Sequence, residues 1–421
     1  MTCIIVGGGI AGFQAAMTCR TLWPDRAVTL IDAEKETGYY RTLLPQFMVG
    51  ALPEEKLFFR KEENDPLLAV RTGVRVKSLD RKSRSLSLDN GETLCYDRLI
   101  LAHGGESLLP GILAGPPCRG IFPVRDLTTA RMTRAWLQDH RKVVVFGGSL
   151  VGVKTAVHLS QAGFKVSIVV RRGHILLRAL SPKSTEVIEA HLQRLGIEIC
   201  VNVALEEIRQ KNGEIEALKA GGRWLSCDTL LVAAGVAPDT SFLEGTGLLT
   251  DGELVVSPAL QTKDPQIFAA GDVAVIASGG QKISPNTWPQ AVSQGKLAAE
   301  NLYRNTPMPH RDRSRINAMD LHGLAMVILG PPVSGAEVIS HARPEASVRR
   351  ELFLVDGRPV GGALIGDITA AGTIHAMINA ERALTARDAG LLRPGTENVI
   401  RFPEQTGRRK ALILSPERSS L

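Results

Sequence analysis

A glycine-rich turn follows the first apolar run of the chain. Residues 3–9 read Cys-Ile-Ile-Val-Gly-Gly-Gly, and an amphipathic helix pattern and a second apolar run ending in Asp32 come next. In the spacing Gly7-x-Gly9-x-x-Gly12, the first glycine permits a tight turn, the second lets backbone N–H groups approach a pyrophosphate, and the third lets helix pack on strand. The helix N-terminus favours phosphates, and the acid is placed to accept from a ribose hydroxyl. The pattern predicts a dinucleotide site.

The same pattern of strand, glycine turn, helix and second strand recurs in the middle of the chain. An apolar strand pattern at 142–146 leads into Gly-Gly-Ser-Leu-Val-Gly at 147–152, then a helix pattern and a strand pattern at 165–170. Ser149 replaces the middle glycine, and Arg171 follows the second strand where an acid would stand. An arginine there suits a 2′-phosphate, which favours NADPH over NADH. The alternative is that this arginine and its neighbour simply face solvent.

The elements around these turns are those of a globular protein with a sizeable core. The chain has 421 residues, 44% of them hydrophobic and 22% charged, which indicates two or three domains. No apolar stretch approaches the ~20 residues of a transmembrane helix, and the N-terminus lacks the pattern of a secretory signal. We therefore expect a cytoplasmic protein.

The spacing of the six cysteines and the net charge bear on which sites and partners the chain is expected to have. The cysteines form no CxxC or CxxxxC pair, so we predict neither a metal site nor an internal redox disulfide. The net charge of +7 is compatible with binding to an acidic protein partner, a nucleic acid or an anionic membrane surface. The alternative is that the basic residues only form a solvated surface. No other feature supports nucleic-acid binding, and we expect none.

Three further segments carry a family resemblance. Residues 96–104 resemble the "YDxLILATG" strand and turn of the flavoproteins with two dinucleotide-binding domains, the pyridine nucleotide-disulfide oxidoreductase superfamily, with His103 where threonine is usual. Residues 230–238 are similar to the segment that closes the second domain of that family, and residues 266–272 to its second FAD segment. The resemblance implies that the first glycine motif binds FAD and that the second binds NAD(P)H.

A narrower resemblance comes from three other stretches. Residues 38–45 are similar to the "YxRPLL" stretch of NAD(P)H–nitrite reductase flavoprotein domains and of rubredoxin and ferredoxin reductases. Residues 286–296 resemble their "WPxAVxQG" helix start, and residues 356–367 the "GxxLIGD" strand of their C-terminal domain.

The implied fold is α/β, with two Rossmann-like domains and a small α+β C-terminal domain. We predict an FAD-binding domain at 1–112 and 256–312, an inserted NAD(P)-binding domain at 113–255, a C-terminal interface domain at 313–395 and a basic tail at 396–421.

The resemblance also implies which residues contact the cofactors. For FAD they are Gly7, Gly9, Ile10, Ala11, Gly12, Asp32, Ala33, Arg41, Leu44, Val76, Ala102, His103, Gly104, Gly271, Asp272, Pro289, Gln290 and Ala291. For NAD(P) they are Gly147, Ser149, Leu150, Val151, Gly152, Lys154, Arg171, Arg172, Ala234 and Gly235. Hydride transfer needs stacking and alignment more than protein proton transfer, so we nominate no catalytic acid or base.

The chain departs from the family pattern at several positions. Lys154 stands where many relatives have a glutamate near the nicotinamide, and it could pair with cofactor phosphates, with a carboxylate or with an anionic flavin. Gln46 falls close to the place of a lysine that other relatives have near flavin N5. No cysteine lies between Asp32 and Pro53, where disulfide reductases and peroxidases of the family carry theirs.

These features predict an FAD-dependent NAD(P)H oxidoreductase that passes electrons to an external carrier. The expected partner is a small acidic protein of the rubredoxin or ferredoxin type, or an iron–sulfur subunit. The oligomeric state, whether monomer, homo-oligomer or hetero-oligomer, stays open. Two alternatives stay open: a flavoprotein subunit of a larger complex with a vestigial NAD(P) domain, and an NAD(P)H:quinone reductase.

Overall fold

The computed structural model describes residues 2–59, 65–115, 117–278, 281–284, 287–310, 316–385, 388 and 390. Within them lie seven α-helices: α1 (Ile10–Leu22), α2 (Leu44–Met48), α3 (Leu127–Trp136), α4 (Leu150–Gln161), α5 (Pro182–Arg194), α6 (Trp288–Asn301) and α7 (Ala371–Asn379). The predicted basic tail at 396–421 falls outside the described residues.

The strands of the described residues are short, none of them longer than eight residues. In chain order they are β1 (Thr2–Val6), β2 (Ala27–Asp32), β3 (Leu68–Thr72), β4 (Val76–Asp80), β5 (Ser85–Leu88), β6 (Thr93–Cys95), β7 (Arg98–Leu101), β8 (Gly105–Ser107), β9 (Ile121–Pro123), β10 (Lys142–Phe146), β11 (Lys165–Val170), β12 (Glu198–Val201) and β13 (Leu205–Lys211). They continue with β14 (Glu214–Ala220), β15 (Arg223–Ser226), β16 (Thr229–Val232), β17 (Val236–Pro238), β18 (Leu254–Val256), β19 (Ile267–Ala269), β20 (Ala274–Ser278), β21 (Gln281–Ile283), β22 (Asn317–Asp320), β23 (Ala325–Ile328), β24 (Glu337–Arg343), β25 (Val348–Val355) and β26 (Arg358–Ile365).

Two parallel sheets carry the two glycine turns. The first has the strand order β19-β7-β1-β2-β3, and the second has the order β12-β11-β10-β16-β9. In each sheet the strand before the glycine turn is central, and the strand after the helix lies beside it. Parallel neighbours need a crossover, which α1 and α4 supply. The α/β fold class with two Rossmann-like sheets is therefore confirmed.

A third, antiparallel sheet has the order β22-β23-β26-β25-β24 and carries α7. Smaller antiparallel sheets, β4-β5-β6 and β13-β14-β15, and the mixed sheet β18-β20-β21 accompany the parallel ones. The pair β8 and β17 joins the two glycine-turn regions.

The hydrophobic cores show which parts of the chain pack together. One core joins β1, β2, β7 and β19 with α1 and α6, and it includes Phe242, Leu243 and Leu248, which fall in the predicted NAD(P)-binding domain at 113–255. Another core joins β10, β11 and α4 to the antiparallel sheet through Met326 and Ile365. The second parallel sheet and the C-terminal sheet thus share apolar contacts. None of the described helices has both the length and the apolar character needed to cross a membrane.

Candidate functional site

A cleft of about 600 Å³ opens where the carboxyl ends of the first parallel sheet meet the second glycine turn. Of the residues predicted to contact FAD, it is lined by Gly7, Gly9, Ile10, Ala11, Asp32, Ala33, Arg41, Val76, Ala102, His103, Gly104, Gly271, Asp272 and Ala291. Of those predicted for NAD(P), it is lined by Ser149, Val151 and Gly235. Residues from both glycine turns therefore face one cavity.

The other predicted contacts do not line this cleft. They are Gly12, Leu44, Pro289, Gln290, Gly147, Leu150, Gly152, Lys154, Arg171, Arg172 and Ala234. Gly12, Gly147 and Gly152 instead permit the close packing behind each turn, whereas Leu44 is buried in an apolar cluster under the cleft.

The first turn has the geometry that a pyrophosphate needs. A Cβ on Gly7 would lie 2.4 Å from the carbonyl oxygen of Ala102, and one on Gly12 would lie 1.8 Å from the carbonyl oxygen of Gly7. A Cβ on Gly9, by contrast, would meet no atom of the described residues within 4 Å, and none of their side chains caps the helix that begins there. The first N–H groups of α1 therefore face open space, as an anion site requires.

Asp32 lies against this turn at the end of β2. Its side chain is 7% exposed, and a Cβ on Gly8 would lie 2.3 Å from its Oδ2. Burial, followed by the nearby charge of Glu34, raises the pKa of Asp32 to about 6. Thr37 Oγ1 donates to the carbonyl of Gly8 at 2.6 Å. A ribose hydroxyl donating to Asp32 would restore hydrogen bonding that burial has removed from the carboxylate.

Two guanidinium groups that face the cleft are held by a polar network. Arg41 pairs with Glu34, and it donates to Tyr39 Oη at 2.8 Å and to the carbonyl of Arg125 at 3.1 Å. Arg125 Nη1 lies 3.5 Å from Asp272 Oδ2, and burial, followed by the charge of Arg41, lowers its pKa. The cleft thus presents two cations to an anionic ligand.

Several lining residues were not among the predicted contacts, and Arg125 is the clearest. It comes just before the N-cap Asp126 of α3, and no glycine pattern or family motif marks it. It reaches the cleft because the chain returns past Gly104, where a Cβ would lie 3.2 Å from Arg125 Nη2. Glu34 is another lining residue that was not predicted. The sequence could have indicated it, because it is a second acidic residue two positions after Asp32, the last residue of β2.

His103 occupies the turn after β7. Its Nε2 lies 2.8 Å from the carbonyl oxygen of Asp239, and its ring packs edge-on against Phe242 with the centroids 4.8 Å apart. Burial lowers the pKa of His103 to about 4, so the ring is neutral and Nε2 carries the proton that the carbonyl accepts. These are the contacts of a residue that packs and hydrogen-bonds.

The start of α6 adds a polar atom without a partner. Thr287 and Trp288 line the cleft, and Thr287 Oγ1 is buried with no hydrogen-bond partner among the described residues. Behind them, the backbone N–H of Gly271 donates to Gln294 Oε1 at 2.8 Å, which holds the Asp272 turn against the helix. An orphaned hydroxyl at a helix N-terminus fits a ligand with a polar edge.

The second turn differs from the first in its cap. Ser149 Oγ accepts from the N–H of Gly152 at 3.3 Å and donates to the carbonyl of Ala233 at 3.2 Å. One N–H group that an anion would use at the start of α4 is therefore already satisfied by the chain. Arg171 and Arg172 are exposed beyond the end of β11.

Lys154 points away from the second glycine turn toward the first domain. Its Nζ donates to the carbonyl oxygen of Thr42 at 2.8 Å, and burial lowers its pKa. Thr42 lines the cleft, directly after Arg41.

All six cysteines lie within the described residues, and none of them lines the cleft. Cys3, Cys19 and Cys227 are buried, and all six are free thiols. Among the described residues no group of His, Cys, Asp and Glu side chains could hold a metal ion.

The chain is similar to known redox proteins over most of its length. A family model described as pyridine nucleotide-disulphide oxidoreductase matches residues 1–295. An NADH oxidase of Methanocaldococcus jannaschii is 28% identical over 410 residues, 90% of each chain. A biphenyl dioxygenase system ferredoxin–NAD(+) reductase component of Paraburkholderia xenovorans is 29% identical over 73% of this chain and 76% of its own. A rubredoxin–NAD(+) reductase of Alcanivorax borkumensis is 27% identical over 86% and 94%.

Solved structures share the fold. A putidaredoxin reductase, solved as a covalent complex with putidaredoxin, superposes with a TM-score of 0.85 at 20% identity over 92% of this chain and 95% of its own. An engineered water-forming oxidase bound to NADPH, derived from a Lactobacillus brevis enzyme, superposes with a TM-score of 0.82 at 20% identity over 91% and 92%.

Proposed function

Because the chain belongs to the pyridine nucleotide-disulphide oxidoreductase family, we propose that it oxidises a nicotinamide nucleotide and passes the electrons through FAD to an external carrier protein. In this proposal residues 1–112 and 256–312 hold FAD, residues 113–255 hold the nicotinamide nucleotide, and residues 313–395 form an interface domain. The predicted contact residues that line the cleft, together with Arg171 and Arg172, act as binding and orienting groups. None of the predicted contact residues acts as an acid or base.

The chain's own residues would act by position and charge. The open N-terminus of α1 and the cations Arg41 and Arg125 would hold the pyrophosphate of FAD, with Asp32 at the adenosine ribose. Ser149 and Val151 from the second turn line the same cleft, so the nicotinamide can meet the flavin face there. Bound FAD supplies an acceptor for the hydride and a source of single electrons.

The observation that carries the proposal is that both glycine turns open on one cleft and that no cysteine lines it. Electrons that reach the flavin have no thiol relay and must leave to an outside acceptor. Since the hydride carries two electrons, two molecules of a one-electron carrier are reduced for each nucleotide oxidised, and one proton is released.

A small acidic carrier of the ferredoxin or rubredoxin type is the proposed partner. Relatives carry ferredoxin–NAD(+) reductase and rubredoxin–NAD(+) reductase as names, and the net charge of +7 would steer an acidic protein to this chain. Turnover with such a carrier should fall steeply as salt rises, whereas turnover with an uncharged dye should not.

A preference for NADPH is the finer part of the proposal. Arg171 and Arg172 are exposed at the end of β11, where a 2′-phosphate would lie. The engineered NADPH oxidase likewise carries an alanine in place of an aspartate, followed by an introduced arginine. The relatives, by contrast, are named as NAD(+) reductases. A measured preference for NADPH over NADH, or the reverse, therefore tests this part of the proposal.

Anaerobic reduction of the purified flavoprotein tests the function. We expect NADPH, and more slowly NADH, to bleach the flavin spectrum, and an added acidic carrier to restore it. Absence of bleaching with either nucleotide would contradict the reductase and favour the flavoprotein subunit with a vestigial NAD(P) domain. Reoxidation by quinone but not by the carrier would favour the quinone reductase.

An NADH oxidase is a second candidate, because the Methanocaldococcus jannaschii relative of that name aligns over 90% of both chains. It predicts rapid oxygen consumption without any carrier. Measured oxygen uptake that stays far below the rate of carrier reduction would reject it.

A further inference from the structure

The end of β11 packs on the second glycine turn in the way that the end of β2 packs on the first. A Cβ on Gly8 of the first turn would lie 2.3 Å from Oδ2 of Asp32, the last residue of β2. A Cβ on Gly148 of the second turn would lie 2.9 Å from Cγ2 of Val170, the last residue of β11. The backbone N–H of Leu176 then donates to the carbonyl of Gly148 at 2.7 Å. Val170 is thus the counterpart of Asp32, and we expect the residues that follow it to border the ribose of a nucleotide at the second turn.

Two arginines come directly after β11, in a turn that is fastened from outside. We call residues 171–173 the arginine turn: Arg171 and Arg172 are exposed, and Gly173 has a left-handed backbone with φ 71°. The backbone N–H of Gly173 donates to Oδ1 of Asn202 at 2.7 Å. The two arginines are therefore presented on a turn whose last residue is held by a side chain from another part of the chain.

Asn202 follows β12, the strand that pairs with β11 in the second parallel sheet. Its backbone is left-handed with φ 59°, a conformation that asparagine adopts more readily than most residues. Beside it, the N–H of Val203 donates to the carbonyl of Val170 at 3.2 Å, which extends the contact between the two strand ends without the Asn202 side chain. Removing that side chain should therefore free the arginine turn and leave the sheet in place.

We propose that Asn202 is a positioning residue for nucleotide choice: it holds the arginine turn in the geometry that receives the 2′-phosphate of NADPH. This inference rests on the proposed function, because it requires a nicotinamide nucleotide at the second glycine turn. Guanidinium groups bind a phosphate through paired, directed N–H donors. Groups that are ordered before the ligand arrives lose less conformational entropy on binding. Asn202 therefore acts through Arg171 and Arg172 and makes no contact of its own with the nucleotide.

The test compares KM and kcat for NADPH and for NADH in the full-length flavoprotein, with an uncharged dye as the electron acceptor. Asn202→Gly keeps a residue that adopts the left-handed backbone without strain, and it removes the acceptor for the Gly173 N–H. We expect KM for NADPH to rise about threefold to tenfold, the range of one ordinary hydrogen bond, with KM for NADH and both kcat values unchanged. Asn212→Gly is the matched control, because Asn212 is another exposed asparagine with a left-handed backbone (φ 55°), in the turn between β13 and β14.

Calorimetric binding of 2′,5′-ADP and of 5′-AMP to the same flavoprotein is a second readout that needs no turnover. Asn202→Gly should weaken the binding of 2′,5′-ADP by the same factor and leave 5′-AMP unchanged, because the two ligands differ only in the 2′-phosphate. In a protein that already carries Arg171→Ala and Arg172→Ala, adding Asn202→Gly should have no further effect on either ligand.

Three outcomes would overturn the inference. An unchanged KM for NADPH in Asn202→Gly shows that the arginine turn does not need the contact. Equal increases in KM for both nucleotides, together with a lower Tm, show that Asn202 only stabilises the fold. Weaker binding of 2′,5′-ADP that Asn202→Gly still causes in the arginine-free protein shows that Asn202 does not act through the arginines. All three leave the reductase intact, whereas a wild-type flavin that neither nucleotide reduces contradicts the proposed function itself.

Discussion

At the scale of single residues, the cleft contains a buried carboxylate, Asp32, whose ionised form is destabilised by burial and would be stabilised by hydrogen bonds from a ligand. Asp32 is almost fully buried beside the acid Glu34, and its pKa is raised to about 6. Two cations, Arg41 and Arg125, face the same cavity. Such a site is arranged for a ligand that carries both hydroxyl donors and phosphates, as a dinucleotide does.

Asp32→Asn should stabilise the flavin-free protein and weaken FAD binding. The carboxyl is protonated more easily in the folded than in the unfolded chain, so its stabilising contribution is complete below about pH 4 and is lost as the pH rises through about 6. The ionised group then costs on the order of 3 kcal/mol, which asparagine avoids. We expect the variant's gain in Tm, measured without FAD, to grow between pH 4 and 7, and its Kd for FAD to rise at least tenfold.

Asp139→Asn, at an exposed position on the loop after α3, is the control for this experiment. A gain in Tm that is the same at every pH would contradict the ionisation argument. An unchanged Kd for FAD would contradict the ribose contact.

Arg171→Ala should weaken NADPH and leave NADH unaffected. Charge-assisted hydrogen bonds to a phosphate contribute about 1.5–3 kcal/mol, so KM for NADPH should rise roughly tenfold to a hundredfold. Arg343→Ala, exposed on β24, is the matched control. Equal increases in KM for both nucleotides would show that Arg171 does not read the 2′-phosphate.

At the scale of elements, the two strand–turn–helix units have the same packing but different helix starts. In both, a Cβ added to the first glycine would collide with the carbonyl oxygen of the residue that follows the neighbouring parallel strand, at 2.4 Å from Ala102 for Gly7 and at 2.2 Å from Ala233 for Gly147. Within the described part of the chain, no side chain caps the start of α1, whereas Ser149 caps α4. The first unit therefore offers more free N–H groups to an anion than the second.

In the first strand–turn–helix unit, Gly9→Ala should impair FAD binding without loss of stability, whereas Gly12→Ala should destabilise the fold itself. A Cβ at Gly9 meets no described atom within 4 Å and the backbone there is extended, so the flavin-free protein should keep its Tm while the methyl group blocks the pyrophosphate. A Cβ at Gly12 would collide with the carbonyl of Gly7 at 1.8 Å, and overpacking of this kind costs at least about 1–3 kcal/mol. Thermal unfolding without FAD, together with FAD titration, measures both effects. Equal losses of Tm in the two variants would contradict this division.

At the scale of the whole molecule, buried polar contacts connect the second parallel sheet to the C-terminal sheet. Glu351 of β25 is 1% exposed and pairs with Arg349. It also accepts from Ser181 Oγ at 2.5 Å and from Ser184 Oγ at 2.8 Å, at the start of α5. Ile188 and Leu192 of α5 also share an apolar core with Met326, Ala363 and Ile365 of the C-terminal sheet. The C-terminal sheet is therefore tied to α5 by polar as well as apolar contacts.

Glu351→Gln should loosen this connection. Removing one partner of a buried pair leaves the other charge uncompensated and costs about 3–5 kcal/mol. We expect faster hydrogen exchange in both α5 and β25 and a lower Tm, whereas Glu337→Gln, at an exposed site on β24, should change neither. Faster exchange confined to β25 would show that the carboxylate does not couple the two elements.

Local spacing was enough to predict the two nucleotide-binding units. The positions of Gly7, Gly12, Gly147 and Gly152 require close packing of strand, turn and helix, and that requirement is visible in the residues themselves. The absence of any cysteine between Asp32 and Pro53 is likewise a property of the sequence alone, and it excludes a thiol relay at that place.

Only the tertiary structure decided which groups meet across the cleft. Arg125 reaches Asp272, and Lys154 reaches Thr42. Both contacts join residues more than 100 positions apart, and such distances along the chain carry no local signal. The sequence by itself therefore determined the two binding units, while the packing of the domains determined the charge that surrounds their common cleft, because electrostatic interactions depend on distance in space and not along the chain.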